Sequence, residues 1–134
     1  MFVWSLAVDP YDPNVLYAGT NYASTLGSIM KTVDGAQSWT ALLSSAPVLS
    51  LAIDPFDPST VYAGGTSYYA ASLGVEKTID GGATWQQSLS EGAARLATDA
   101  LQPGTIYLGG PNGIWKTSDA GMNWQRLATF DTRA

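Results

Sequence analysis

The chain contains no cysteine and no histidine. These absences remove thiol catalysis, zinc centres of the Cys/His kind and every His-based catalytic triad. They leave the redox compartment open, because a cysteine-free chain suits either side of a membrane. Charge is sparse as well, with six cations against 11 acids for a net charge of −5. The cations are scattered, and Lys31, Lys77 and Lys116 occupy repeat positions, so no basic patch forms and no nucleic-acid partner is expected. Long hydrophobic runs are missing too. The opening "MFVWSLAVDP" has no basic segment and too short an apolar run for a signal peptide or a membrane span. The compartment is therefore unassigned, with an extracellular or periplasmic address following only if a longer secreted parent carries this segment.

What is present is apolar, aromatic and periodic. At 134 residues, with 46% apolar and 11% aromatic content, the chain can bury a core. "SLAVDPYDPNVLYAGT" (Ser5 to Thr20) returns as "SLAIDPFDPSTVYAGG" (Ser50 to Gly65) and, more degenerate, as "RLATDALQPGTIYLGG" (Arg95 to Gly110). Asp9, Asp54 and Asp99 recur every 45 residues, and Tyr17, Tyr62 and Tyr107 keep the same step. A second motif follows each copy: "KTVDGAQSW" (Lys31 to Trp39), "KTIDGGATW" (Lys77 to Trp85) and "KTSDAGMNW" (Lys116 to Trp124). Its aspartates, Asp34, Asp80 and Asp119, are spaced 46 and 39 residues apart, the loss falling in a loop between Gly110 and Gly113.

Within each unit the apolar residues alternate with period two, as half-buried strands require. Asp-Pro-x-Asp-Pro separates a first strand from a second, and Asp-Gly-Gly joins a third to a fourth as a hairpin. No stretch carries a helical apolar stripe. Four antiparallel strands in about 45 residues predict a β-propeller blade, so the fold class is all-β. Three blades are expected, at about 1–45, 46–91 and 92–134. Trp4, on the same face as Leu6 and Val8, and Trp115 are expected in the core.

The second motif has a conformational explanation. Asp34, Asp80 and Asp119 sit where the chain reverses and can accept backbone N–H bonds. Thr32, Thr78 and Thr117, two residues earlier, can join that network, and the small residues after each Asp tolerate a tight turn. Trp39, Trp85 and Trp124 then re-enter the sheet as plugs. These residues resemble the Asp-box, or bacterial neuraminidase, repeat, Ser/Thr-x-Asp-x-Gly-x-x-Trp. The match holds in Thr78, Asp80, Gly82 and Trp85, and in Thr117, Asp119, Gly121 and Trp124. The first copy departs at Ala36, which is strained if that position needs positive φ. Similar repeats occur in sialidases, xyloglucan-degrading hydrolases, sortilin-type receptors and photosystem II assembly factors. The resemblance implies a propeller blade in which the box is not the catalytic site.

Strand parity puts the Asp-Pro turns and the boxes at one end of each blade and the second-to-third loops at the other. Most acids belong to the turns; Glu76 and Glu91 do not, and nothing in their spacing pairs them as a glycosidase needs. No catalytic, cofactor or metal residue is assigned, although Ca²⁺ on the acidic Asp-Pro turns is a minor alternative. The loop end is richer in recognition chemistry. Asn21, Tyr22, Tyr68, Tyr69, Glu91, Arg95 and Asn112 form its candidate ligand face, suited to a glycan or a protein. The competing view is that the tyrosines only cover the blade tops and that Arg95 pairs with Glu91. Three blades leave two open faces, which predicts other propeller blades as partners, by self-association or within a longer parent. A non-catalytic binding or scaffold segment is expected; the alternative is a fragment of a sialidase-like or xyloglucanase-like glycoside hydrolase with its catalytic residues mostly elsewhere.

Overall fold

The computed structural model describes residues 1–22, 26–44, 46–66 and 73–129. The described strands form three four-stranded antiparallel sheets, each with its strands in chain order. The first holds β1 (Phe2–Val8), β2 (Leu16–Asn21), β3 (Ser28–Thr32) and β4 (Thr40–Ser44). The second holds β5 (Ser50–Ile53), β6 (Val61–Gly65), β7 (Gly74–Thr78) and β8 (Gln86–Leu89). The third holds β9 (Arg95–Thr98), β10 (Ile106–Gly110), β11 (Gly113–Thr117) and β12 (Gln125–Ala128). No helix occurs among the described residues. The arrangement is a β-propeller segment of three blades.

Each first-to-second connection is shaped by an aspartate. Asp9 accepts the Tyr11 and Asp12 N–H groups at 2.7 and 3.2 Å, Asp54 that of Phe56 at 2.8 Å, and Asp99 that of Leu101 at 2.8 Å. These bonds satisfy backbone donors that leave the ladder where the chain turns. The third copy has lost its first proline, yet Asp99 still makes the bond.

The sheets stack in chain order with their first strands side by side. Tyr17, Ile29, Val48, Leu51, Val61 and Ala63 fill the first gap, and Tyr62, Val75, Ala93, Ile106 and Leu108 fill the second. Alternation therefore appears as a division between the two gaps rather than between core and solvent. β6 is buried along its whole length because a sheet covers each of its faces. The outer faces differ. Trp4, expected in the core, is 54% exposed beside Leu6 and Val8, because no sheet covers that face of β1. Trp115 does pack against the second apolar layer.

Polar contacts cross both gaps at repeated positions. Leu51 N donates to Ser5 Oγ at 2.9 Å, and Leu96 N to Ser50 Oγ at 3.0 Å. Farther out, Tyr17 and Lys31 are paired across β2 and β3 and donate together to Gly81 O, at 3.2 and 2.7 Å. Tyr62 and Lys77 do the same to Ala120 O, at 3.1 and 2.7 Å. In each pair the ammonium also lies over the ring, 5.3 and 5.6 Å from its centroid. One sheet thus grips a turn carbonyl of the next with a phenol and an ammonium.

Loss of either donor leaves the carbonyl one partner, while loss of both strands it in a part-buried site. Tyr62→Phe and Lys77→Met are each expected to cost about 1 kcal/mol, and the double variant more than their sum. Urea midpoints of the four proteins measure this; strict additivity would refute the shared-carbonyl account.

Candidate functional site

The two ends of the stack differ in chemistry. At the turn end, the three Thr-x-Asp turns share one hydrogen-bond pattern. Thr32, Thr78 and Thr117 donate Oγ1–H to Asp34, Asp80 and Asp119, at 2.7, 2.7 and 2.8 Å. Each threonine Oγ1 also accepts the N–H four residues on, from Ala36, Gly82 and Gly121. The same aspartate oxygen takes the N–H of Ser38, Thr84 or Asn123 at 2.9 Å, and the other oxygen takes that residue's side chain. Ser38, Thr84 and Asn123 escaped the sequence analysis. Their signal was a hydrogen-bonding side chain just before each tryptophan.

The turns also join the Asp-Pro connections: Gly35, Gly81 and Ala120 donate their N–H to Asn14, Ser59 and Gly104 carbonyls. Both residues after each Asp are left-handed, with φ of 70° and 74° at Gly35 and Ala36, 69° and 96° at Gly81 and Gly82, and 59° and 85° at Ala120 and Gly121. At the second position glycine is doubly needed. A Cβ at Gly82 would run into Leu42 Cδ1, and one at Gly121 into Ser88 Oγ, both on the preceding sheet. Ala36 occupies the one turn that no preceding sheet approaches, so only its backbone is strained.

The tryptophans divide the same way. Trp85 packs against the first apolar layer and donates Nε1–H to Gly82 O at 3.0 Å. Trp124 packs against the second layer and donates to Ser88 Oγ at 2.9 Å. Trp39, with no sheet before it, is 38% exposed.

These hydrogen bonds dominate the acidity of the turn carboxylates. The Ser38 hydroxyl first, then the Ser38 N–H and the Thr32 hydroxyl, lower Asp34 from 3.8 to about 2. Thr84 and Asn123, followed by Thr78 and Thr117, lower Asp80 and Asp119 to about 2 as well. A carboxylate so held is ionised at neutral pH and has no proton to give as a general acid. Among the described residues no three acidic side chains gather as a metal-ligand set.

At the loop end, Tyr22 is 58% exposed and its backbone bridges Leu26. Asn21 lies beside it at the end of β2, with Oδ1 buried and unpartnered among the described residues. Asn112, in the shortened loop, donates Nδ2–H to Glu91 Oε2 at 2.8 Å. Arg95, at the start of β9, is exposed and donates to Ala94 O at 2.9 Å, so the expected Arg95–Glu91 pair is replaced by Glu91–Asn112. Tyr68 and Tyr69 lie outside the described residues. Glu76, in β7, is part-buried, and burial raises its pKa above the ordinary glutamate value. A further cleft lies elsewhere. It holds about 400 Å³ between β8 and the third turn, lined by Lys77, Ile79, Thr84, Gln86 and Met122. Its one cation, Lys77, is already tied to Ala120 O.

Comparison with solved structures places this architecture. An ancestral GH74 enzyme superposes with a TM-score of 0.79 at 22% identity, over 98% of this chain and 19% of its own. The GH74 xyloglucanase of Xanthomonas campestris gives 0.76 at 18%, over 96% of this chain and 24% of its own. YCF48 bound to D1 peptide gives 0.60 at 20%, over 93% of this chain and 43% of its own. The fold is a partial β-propeller. No protein-family model matches the chain, and no curated protein matches it. The chain spans between 19% and 43% of the length of these solved structures, and its likeness to them is one of fold.

Two predictions follow from the turn geometry. Ala36→Gly relieves a left-handed alanine and is expected to stabilise the chain by up to about 1 kcal/mol, read as a higher melting temperature. The turn carboxylates have lowered folded-state pKa values, so their stabilisation is complete above about pH 4 and is lost as pH falls towards about 2. Melting temperatures between pH 5 and 2 should fall across that window, with a shallower slope in Asp80→Asn.

Proposed function

We propose that this chain is a non-catalytic propeller segment of the Asp-box type that presents a binding surface at its loop end, while other propeller blades are its structural partners. The observation that carries this reading is the engagement of all three repeated aspartates within their own turns. Those carboxylates build the scaffold, which leaves recognition to the opposite end. There, exposed Tyr22 offers a ring for stacking next to Asn21 in the first sheet, and the Glu91–Asn112 pair offers hydrogen-bonding groups at the same end of the third sheet. Arg95 adds an exposed cation at the same end of the third sheet. Such a surface suits a peptide or a glycan. YCF48, a propeller of related fold, is seen bound to D1 peptide, which lends weight to a protein ligand.

A second reading draws on Glu76. A part-buried carboxyl with a raised pKa can hold a proton for a glycosidic oxygen, and two of the structurally similar proteins are GH74 enzymes. In that case the chain is a piece of a glycoside hydrolase whose second carboxylate lies in other blades.

Immobilised oligosaccharide and peptide arrays probed with the full chain separate the two. The binding reading expects retained ligand that is lost at least tenfold in Tyr22→Ala or Glu91→Ala. No retention on either array would overturn it. Hydrolysis of xyloglucan oligosaccharides by the chain, abolished in Glu76→Gln, would establish the enzymatic reading instead.

A further inference from the structure

Among the described residues, the third sheet keeps the gripping pair without anything to grip. Tyr107 and Lys116 are paired across β10 and β11 as Tyr17–Lys31 and Tyr62–Lys77 are in their sheets. The Lys116 ammonium lies 5.4 Å from the Tyr107 centroid, matching 5.3 and 5.6 Å in the two occupied pairs. Yet Tyr107 is 37% exposed, whereas Tyr17 and Tyr62 are buried at 1% and 0%. The geometry of the pair thus forms without a bound carbonyl, and its outer surface is open.

A glycine notch accompanies each pair. A Cβ at Gly19 would lie 2.7 Å from Val48 Cγ1, and one at Gly64 would lie 2.9 Å from Ala93 Cβ. Each notch therefore seats the residue that leads into the next sheet. Gly109, the third glycine of the series, has nothing within 4 Å of that position. It lies on the floor of a shallow depression of about 210 Å³ with Arg95, Tyr107 and Ile114 around it.

The opposite open face of the molecule carries the matching parts. Val3 stands 45 residues before Val48, as Val48 stands 45 before Ala93, and it is 60% exposed. Trp4, Leu6 and Val8 extend the apolar strip along β1 at 54%, 63% and 52% exposure. The first turn holds Gly35 in the left-handed conformation of Gly81 and Ala120, whose carbonyls are the ones gripped.

From this complementarity we propose that the Tyr107–Lys116 pair and the Gly109 notch dock the first sheet of a second copy of this chain, head to tail. Lys116 and Tyr107 take that copy's Gly35 carbonyl, and Val3 enters the Gly109 notch. This specifies the partner-blade reading given above and rests on it. Continuity with the two internal junctions selects a second copy, because the same contacts are repeated with parts the chain itself supplies. Two copies would bring six blades, within the four to eight of closed propellers, and closure would cover both apolar faces.

Two departures from the repeat weaken this junction relative to the internal ones. Arg95 stands where Ser5 and Ser50 accept a neighbouring leucine N–H, and Ala36 stands where Gly82 and Gly121 allow close approach. The docking is therefore reversible, and restoring each residue tightens it.

Sedimentation equilibrium of the full chain over a wide concentration range tests this. The expected result is a monomer–dimer equilibrium weakened at least tenfold by Gly109→Val or by Lys116→Met, and tightened severalfold by Arg95→Ser. Both weakening changes lie on the open face, and unchanged monomer melting curves will show that they fold. Orientation is read by mixing Val3→Cys chains with Gly109→Cys chains in a protein otherwise free of cysteine. Rapid disulfide formation only in the mixture supports head-to-tail docking. A chain that stays monomeric throughout overturns both the docking and the self-association behind it. Association that is indifferent to Gly109→Val, or that cross-links Val3→Cys to itself, overturns the head-to-tail arrangement alone.

Discussion

The stacking of the sheets depends on one backbone carbonyl in each of the second and third turns. It belongs to the residue after the aspartate, and a left-handed backbone aims it at the preceding sheet. A right-handed residue there would direct the carbonyl elsewhere, and the tyrosine and lysine would have nothing to bind. The Thr-x-Asp network fixes that backbone conformation, so threonine, aspartate and the polar residue before tryptophan act on the stacking of sheets through the turn. Apolar burial supplies most of the attraction between sheets but is indifferent to register. The directional bond from lysine and tyrosine sets which turn meets which strand pair.

Much of the fold was legible because period-two alternation, proline breaks and a 45-residue repeat point the same way. The three turns were also readable, since an aspartate before small residues has few other uses. The lysine–tyrosine grip was not read, although both residues recur in every unit. Sequence spacing shows that residues repeat, but it does not show that two strands place them side by side against a third element. Trp4 was misassigned for a related reason: its alternation identifies a face, while burial of that face depends on a neighbour. At the loop end, composition pointed to recognition chemistry, but the partners there reflect local geometry. Glu91 meets Asn112, and Arg95 turns to a carbonyl beside it.

The molecule places its Thr-x-Asp turns at one end and its loops of variable length at the other. Aspartates that look catalytic in isolation are bound into turns at one end, where their low pKa values reflect fixed hydrogen bonds. The other end carries loops that vary in length between units, with "GTNYASTLGS" and "GGTSYYAASLG" set against "GGPNG". Insertions there leave the lysine and tyrosine bonds to the turn carbonyls untouched, because those bonds lie at the turn end. Loops so placed can change in length and composition without disturbing the fold.

The grip and the carbonyl it holds lie on opposite faces of the same repeat. Any in-frame duplication of the unit therefore produces a neighbour that already fits, with no new interface to invent. Arrays of this kind can lengthen or shorten by whole units, and each added copy inherits its own adhesive. Divergence is then freest wherever a unit lacks a neighbour, because half of its inherited fit has no counterpart there.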